Sequence, residues 1–189
     1  MYICIALLTD DLIQNKSRKI VFDLSQKYDI DTMSSRLPQH ISLKQSFEID
    51  KIDEIENYFD QLSKSMKPFS VVLNKIDLCL INNDSINKQI LWYEIEESEN
   101  LWTLHNKLNR ELLDLFEIPM NGYDGDTFKF HSTIAYESNK EDLFVRYLEN
   151  LKNRDESISF DVTKIALFYS PDKELRGDNF ITYKIVSFN

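Results

Sequence analysis

Hydrophobic positions along this chain follow two periods, which together predict an alternation of strands and helices. Apolar residues that recur every three or four positions predict amphipathic helices, and runs rich in β-branched and aromatic residues predict strands. The predicted helices span Leu12–Tyr28, Ile52–Met66, Glu97–Phe116 and Glu141–Leu151. The predicted strands span Tyr2–Thr9, Gln39–Phe47, Phe69–Ile81, Gln89–Glu94, Thr127–Tyr136, Ser159–Ser170 and Phe180–Phe188, the last two as a closing pair.

The order of these elements contains a coarse repeat. The series strand, helix, strand, helix and two strands starts again, imperfectly, after Glu97. No linker or low-complexity segment divides the 189 residues, a length that suits one domain with a sizeable core. We therefore expect a single α+β domain over residues 1–189, built from two related halves.

Charge and cysteine content exclude several classes of function. The formal net charge of -10 argues against tight binding to long nucleic acid and against docking on an anionic membrane. Cys4 and Cys79 lie in apolar, strand-like runs without metal-binding spacing, and we expect a reduced, buried pair in a cytoplasmic protein. The N-terminal apolar run has no basic segment before it and no cleavage pattern after it, which favours a first strand over a signal peptide.

Two short segments share one pattern of histidine, any residue, hydroxyl residue and aliphatic residue. They read His-Ile-Ser-Leu at residues 40–43 and His-Ser-Thr-Ile at residues 131–134. Side chains alternate between the faces of a strand. His40 and Ser42 therefore share one face, and so do His131 and Thr133.

The same alternation assigns faces to the neighbouring residues. Continued along each strand, it places Lys44 beside Ser42 and Lys129 beside His131, so each strand offers an imidazole, a hydroxyl and an ammonium group in line. Ile134 and Tyr136 are expected to point to the opposite side. If the two strands lie side by side, these groups form one pocket.

Such a pocket has the chemistry that phosphodiester cleavage needs. A pair of histidines can hold one neutral and one protonated imidazole near neutral pH, and so supply both a general base and a general acid. Hydroxyl and ammonium groups can stabilise the charge that develops on the phosphoryl oxygens. The arrangement requires neither a metal nor a cofactor. The third histidine, His105, lies in the Leu-rich helix and is expected to be a surface or packing residue.

The segments Pro38–Leu43 and Phe130–Ile134 resemble the two signature motifs of the 2H phosphoesterase superfamily, also called the LigT-like or 2′-5′ RNA ligase-like family. Ile165–Ser170 and Ile181–Tyr183 are similar to the last strand pair of that family. Ser42 stands where many members have threonine, and either hydroxyl can donate. The resemblance implies two pseudo-symmetric lobes with antiparallel sheets lining a central cleft and helices on the outside. It also implies 2′,3′-cyclic phosphates, 2′-5′ linkages or cyclic oligonucleotide signals as substrates.

Several residues outside the motifs are candidates for substrate binding. The Gly-containing loop over residues 119–126 is expected to be mobile. Tyr123 lies in this loop and could stack on a base. Tyr169 and Arg176, near the last hairpin, could border the cleft, and Arg36 could reach a phosphate from the loop before the first motif. A solvated surface position is nevertheless the ordinary role for such residues. Phe128 and Phe130 are expected to fill the core.

These observations support a metal-independent phosphodiesterase that acts, as a monomer, on a small nucleotide. Two alternatives stay open. An enzyme that processes or ligates RNA ends would need a basic groove, which the net charge disfavours. A non-catalytic nucleotide-binding module would keep the pocket but show no turnover.

Overall fold

A computed structural model of the protein describes residues 1–83, 86–152, 154–172 and 179–188. Within these ranges four α-helices accompany two antiparallel sheets, which confirms the α+β class. The helices are α1 (Asp11–Tyr28), α2 (Ile52–Ser65), α3 (Glu99–Phe116) and α4 (Glu141–Asn150), and a short 3-10 helix covers Met33–Arg36.

The first sheet combines strands from both ends of the chain. Its order is β2-β1-β8-β9, and β3 also pairs with β1. These strands are β1 (Tyr2–Leu8), β2 (His40–Ser42), β3 (Phe47–Glu48), β8 (Lys164–Ser170) and β9 (Ile181–Ser187). β2 therefore lies at an edge of this sheet.

The second sheet is formed by the middle of the chain, in the order β6-β5-β4-β7. Its strands are β4 (Phe69–Asn83), β5 (Ile86–Ile95), β6 (His131–Ser138) and β7 (Ile158–Val162). β6 is an edge strand, as β2 is in the first sheet, and these two edges pack against each other.

One apolar core joins the two sheets and the helices. It contains Ile5 from β1 and Leu91 from β5, together with buried residues of all four helices, such as Phe59 and Phe144. A smaller cluster covers the opposite face of the first sheet, and it includes Ala6 from β1. The first sheet therefore turns one face to the helices and the other to the space between the sheets.

Three predicted strands differ from the observed ones in ways that affect the site. Ser159–Ser170 forms two strands that belong to different sheets, because the chain crosses over at Thr163: β7 pairs with β4, and β8 pairs with β1. Gln39–Phe47 is interrupted by a bend after Ser42. The strand predicted from Thr127 begins only at His131.

Candidate active site

The edge strands β2 and β6 are held together by two polar side chains. The Ser132 hydroxyl donates to the carbonyl oxygen of His40 at 2.7 Å. Gln39 donates through Nε2 to the Ser132 hydroxyl at 2.8 Å and to the carbonyl oxygen of Thr133 at 2.7 Å. Both Gln39 and Ser132 are buried, so these bonds are shielded from water. They join the two histidine motifs directly.

Each candidate histidine is oriented by its own strand in the same way. His40 Nδ1 lies 2.8 Å from the carbonyl oxygen of Pro38, and His131 Nδ1 lies 2.9 Å from the carbonyl oxygen of Lys129. A carbonyl oxygen only accepts, so Nδ1 carries the proton in both rings. In the neutral form Nε2 is then left with a lone pair that can accept a proton.

Aromatic rings pack against both imidazoles. The His40 ring lies edge-on to Phe168, with the centroids 4.8 Å apart, and the His131 ring lies 4.6 Å from Trp92 at a tilt of 41°. Burial, and to a smaller extent the charge of His131, lowers the pKa of His40 to about 4. Burial also lowers the pKa of His131. Both imidazoles therefore favour the neutral form.

The hydroxyl residues of both motifs open into one cavity of about 210 Å³ between the sheets. Ser42 and His40 line it from β2, and Thr133 lines it from β6. Residues 131–133 pair in regular register with β5, so His131 and Thr133 point to the same side of β6. The full lining comprises Cys4, Ser34, Arg36, Leu37, Pro38, Gln39, His40, Ser42, Ser46, Lys88, Ile90, Thr133, Tyr136, Phe168 and Phe180.

The described lining of this cavity has a charge opposite to that of the whole protein. Arg36 and Lys88 line it, and no aspartate or glutamate does so among the residues that the structure describes. A chain with a net charge of -10 thus keeps its carboxylates away from the described cavity wall. Such a lining favours an anionic ligand.

Lys44 does not line the cleft, which corrects the expectation that it continues the line of His40 and Ser42. Its side chain is 1% exposed, and its ammonium group forms an ion pair with Asp124 at 2.6 Å. It also donates to Asn109 Oδ1 at 2.7 Å. The reason is the bend after Ser42, since the alternation of faces holds only while the strand continues.

The Lys44 ion pair also anchors the loop over residues 119–126, because Asp124 belongs to that loop. Asp124 accepts hydrogen bonds from the backbone N–H groups of Gln45 and Asn121, and buried His105 lies 3.3 Å from the backbone N–H of Gly125. The loop is therefore fastened to the bend after β2, whereas the sequence suggested a mobile loop. His105 is a packing residue, as expected, and its Nε2 also accepts a hydrogen bond from the backbone of this loop.

Of the other residues that were predicted to bind substrate, some lie at the cavity and others lie away from it. Arg36 lines the cavity from the 3-10 helix. Lys129 is exposed, and its charge lowers the pKa of the Cys79 thiol, a smaller effect than the rise that burial causes. Tyr123 is 74% exposed at the tip of its loop, outside the cavity lining. Arg176 lies outside the described residues.

Tyr169 points away from the cleft, and its neighbour Phe168 faces it. Tyr169 pairs with Ile3 and packs on the main core, and its ring lies 6.0 Å from that of Tyr183. Phe168 pairs with Cys4 and lines the cavity. The cleft residue of β8 is therefore Phe168 and not the predicted Tyr169. A shift of one residue along a strand moves a side chain to the opposite face.

Tyr136 lines the cavity, although the sequence placed it on the side of the strand opposite His131 and Thr133. In the pairing of β6 with β5, Leu91 faces Ala135 and Trp92 faces Thr133, so Ile134 is an extra residue. Such a bulge shifts the alternation by one position. Tyr136 therefore shares the cleft side with Thr133, and no feature of the sequence announces the bulge.

With this geometry in place, comparison with known proteins identifies the class. The sequence profile of the 2′-5′ RNA ligase superfamily matches residues 11–174, and the chain belongs to this family. This result confirms the resemblance to the 2H phosphoesterases. The protein is accordingly a phosphoesterase of the LigT-like class.

Individual relatives agree with this family and fold. The Oceanobacillus iheyensis protein OB1230, provisionally named a phosphoesterase, is 26% identical over 174 residues, which are 90% of each chain. The structure of TT0787 from Thermus thermophilus has a TM-score of 0.62 at 16% identity and covers 100% of this chain and 98% of its own. LigT of Escherichia coli, solved with ATP, has a TM-score of 0.53 at 13% identity and covers 99% and 97%.

Three further features bear on function. No helix in the described ranges is long and apolar enough to cross a membrane. No three His, Cys, Asp or Glu side chains converge as metal ligands within those same ranges. Cys4 and Cys79 are both free, Cys4 is buried, and burial raises its pKa.

Proposed function

We propose that this protein hydrolyses a phosphodiester bond in a small nucleotide, with His40 and His131 as the acid–base pair. Candidate substrates are a 2′,3′-cyclic phosphate, a 2′-5′-linked oligonucleotide and a cyclic oligonucleotide. The observation that carries this proposal is the matched setting of the two imidazoles. Each is fixed through Nδ1 to the carbonyl two residues before it, and each leaves Nε2 for proton transfer.

The proton transfers balance with these two groups alone. The neutral imidazole accepts a proton from the attacking water as the new P–O bond forms. The protonated imidazole donates a proton through Nε2 to the leaving oxygen as the old P–O bond breaks. Because both settings are alike, either ring can take either role.

Electrostatics allows one ring to be protonated when substrate is bound. Burial lowers the pKa of both imidazoles in the free protein. The negative charge of a phosphodiester favours the protonated form of a nearby imidazole. Substrate binding would therefore supply the acid that the free site disfavours. Ser42 and Thr133 would donate hydrogen bonds to the non-bridging oxygens.

The size and charge of the cavity support a small substrate. A volume of about 210 Å³ suits part of one nucleotide better than a long chain. Among the predicted binding residues, Arg36 lines this cavity and can approach a phosphate. Other LigT-like structures hold nucleotides, since E. coli LigT has been solved with ATP and with 3′-AMP.

A substrate panel tests the proposal. Cyclic mononucleotides, cyclic dinucleotides, 2′-5′ oligoadenylates and RNAs with defined ends are incubated with the protein and separated by chromatography. We expect hydrolysis of at least one small substrate, and hydrolysis at least about 100-fold slower by the double variant His40→Ala/His131→Ala. Turnover confined to RNA ends would favour the RNA-processing alternative, and binding without turnover would favour a non-catalytic module.

A further inference from the structure

In the described ranges, the two strands that carry the histidines do not pair with each other. β2 pairs with β1 and β6 pairs with β5, so each histidine strand belongs to a different sheet. Between paired strands, a ladder of backbone hydrogen bonds fixes the relative position. The hydrogen bonds described across this junction come instead from the side chains of Gln39 and Ser132. The separation of His40 and His131 therefore depends on side chains.

Gln39 is itself held by a second glutamine, Gln14 of α1. Gln14 Oε1 accepts from the backbone N–H of Gln39 at 2.8 Å, and Gln14 Nε2 donates to the backbone carbonyl of Gln39 at 2.8 Å. The Gln14 amide thus engages both main-chain groups of Gln39, as a neighbouring strand would. Together the two side chains form an amide relay that runs from α1 through Gln39 to β6.

Both side chains of this amide relay are buried, and so is Ser132. Burying a polar side chain costs free energy that its hydrogen bonds must offset, and apolar groups of the same shape can be equally stable. Hydrogen bonds differ from apolar contacts in direction, because a buried network is satisfied in a narrow range of arrangements. An amide relay at this junction therefore favours a role in arranging the two strands.

From this placement we infer that Gln39 is a positioning residue, which sets the separation of the His40 and His131 imidazoles, and that Gln14 acts through it. The inference rests on the proposed function, since it takes the two histidines as the reacting pair. Gln39 acts through the two strands and needs no contact with the substrate. A displacement of about 1 Å between reacting groups costs about 100-fold in rate, so loss of the amide relay should be visible in kcat.

Gln39→Met tests this role, because methionine has a similar length and no amide donor. We expect kcat to fall by about 10- to 100-fold and KM to change little, since the contacts with substrate stay in place. Gln14→Met should lower kcat by a smaller factor, because the Gln39 carbonyl keeps its hydrogen bond from the backbone N–H of Thr9. Steady-state kinetics on the substrate that the panel identifies measures both effects.

Gln89→Met is the matched control. Gln89 is also a buried glutamine, but its Oε1 accepts from the backbone N–H of Lys140, before α4, and not across the junction. It should leave kcat close to the wild-type value even where it lowers stability. Equal losses of kcat in Gln39→Met and Gln89→Met, or a rise in KM at unchanged kcat in Gln39→Met, would overturn the inference.

Ser132→Ala keeps the test decisive if Gln39→Met fails to fold. It removes one acceptor of Gln39 Nε2 and the donor to the His40 carbonyl, and it deletes only one oxygen atom from the interior. We expect the same pattern of lower kcat at similar KM. An unchanged kcat in Ser132→Ala would overturn the inference.

A measurement without turnover separates the inference from the proposed function. The charge of His131 lowers the pKa of His40, and such an effect weakens as two charges move apart. NMR titration of His40 with and without His131→Ala measures this coupling. The coupling should be smaller in Gln39→Met, or in Ser132→Ala if that variant replaces it, and unchanged in Gln89→Met.

The two measurements then have distinct meanings. A coupling that the junction variant does not reduce would overturn the inference and leave the proposed function intact. A reduced coupling in a protein that hydrolyses no substrate of the panel would support the spacing role of Gln39 and overturn the proposed function instead.

Discussion

Ser132 Oγ donates a hydrogen bond of 2.7 Å to the main-chain carbonyl of His40. The residue after the second histidine thus contacts the backbone of the first. This bond joins the edges of two separate sheets, and it sets the spacing of the two motifs.

Loss of either histidine should remove most of the activity. We expect His40→Ala and His131→Ala each to lower kcat by at least about 100-fold, the usual scale for a general acid or base. The double variant should lose little more, since the pair acts as a unit. Ser42→Ala and Thr133→Ala should have smaller effects, because water can replace a hydroxyl in part. Near-normal kcat in a folded single histidine variant would exclude the two-histidine mechanism.

The pH profile should report the lowered pKa values of both imidazoles. The base must be neutral and the acid protonated, so kcat/KM should follow a bell whose two limbs belong to the pair in the free protein. Since burial lowers both pKa values, that of His40 to about 4, the maximum should lie below about pH 6.5, the ordinary histidine value. The bell for kcat should shift to higher pH, because bound phosphate favours the protonated ring. A kcat/KM maximum on the alkaline side of neutrality would contradict this assignment.

Lys44 should act on stability and not on substrate affinity. In Lys44→Met the Asp124 carboxylate stays buried without its partner, and breaking a buried pair in this way costs about 3–5 kcal/mol of unfolding free energy. Adding Asp124→Asn should restore part of the loss, because no buried charge is left. Urea unfolding measures both effects.

Lys27→Met serves as the control for Lys44. It removes an exposed ion pair with Asp23 within α1 and should change stability by less than about 0.5 kcal/mol. A higher KM at unchanged stability in Lys44→Met would instead return Lys44 to the binding site.

Salt should affect binding only weakly. The protein is acidic overall, and its described cavity lining contains two cations. Because only one or two phosphates would be engaged, the slope of log affinity against log salt should be shallow. A competition between a cyclic dinucleotide and a long single-stranded RNA at two salt concentrations measures this slope. Tighter binding of the RNA with a steep slope would favour the RNA-processing alternative.

Activity should persist in EDTA. The proposed proton transfers use only His40 and His131, and the described residues form no cluster of metal ligands. Turnover is compared before and after dialysis against the chelator. Complete loss of activity that one divalent ion restores would exclude the proposed mechanism.

The motif geometry could be predicted because the side chains alternate regularly between the two faces of the strand over the three residues of each motif. His40 and Ser42 flank buried Ile41, and His131 and Thr133 flank buried Ser132. A period of two needs only local backbone geometry, so the sequence is sufficient to assign these faces.

The wrong assignments of side-chain direction have two causes. Either the backbone departs from regular strand geometry, or both faces of the strand are apolar, so that the sequence does not distinguish them. The bend after Ser42 turns Lys44 away from the cleft into the protein interior, and the bulge at Ile134 turns Tyr136 toward the cleft. In β8 both faces are buried, since Leu167 and Phe168 are each inaccessible to solvent. A run of this kind has no alternation from which to choose the face of Tyr169.

The long sequence separation of the Ser132–His40 bond leads us to expect that the active site forms late in folding. This bond spans 92 positions of the sequence, and the Gln39–Ser132 bond spans 93. Long-range contacts form only after the loop-closure entropy has been overcome, whereas helices and hairpins form from local contacts. Recovery of activity after dilution from denaturant should therefore lag behind recovery of secondary structure, and activity itself becomes a probe of completed folding.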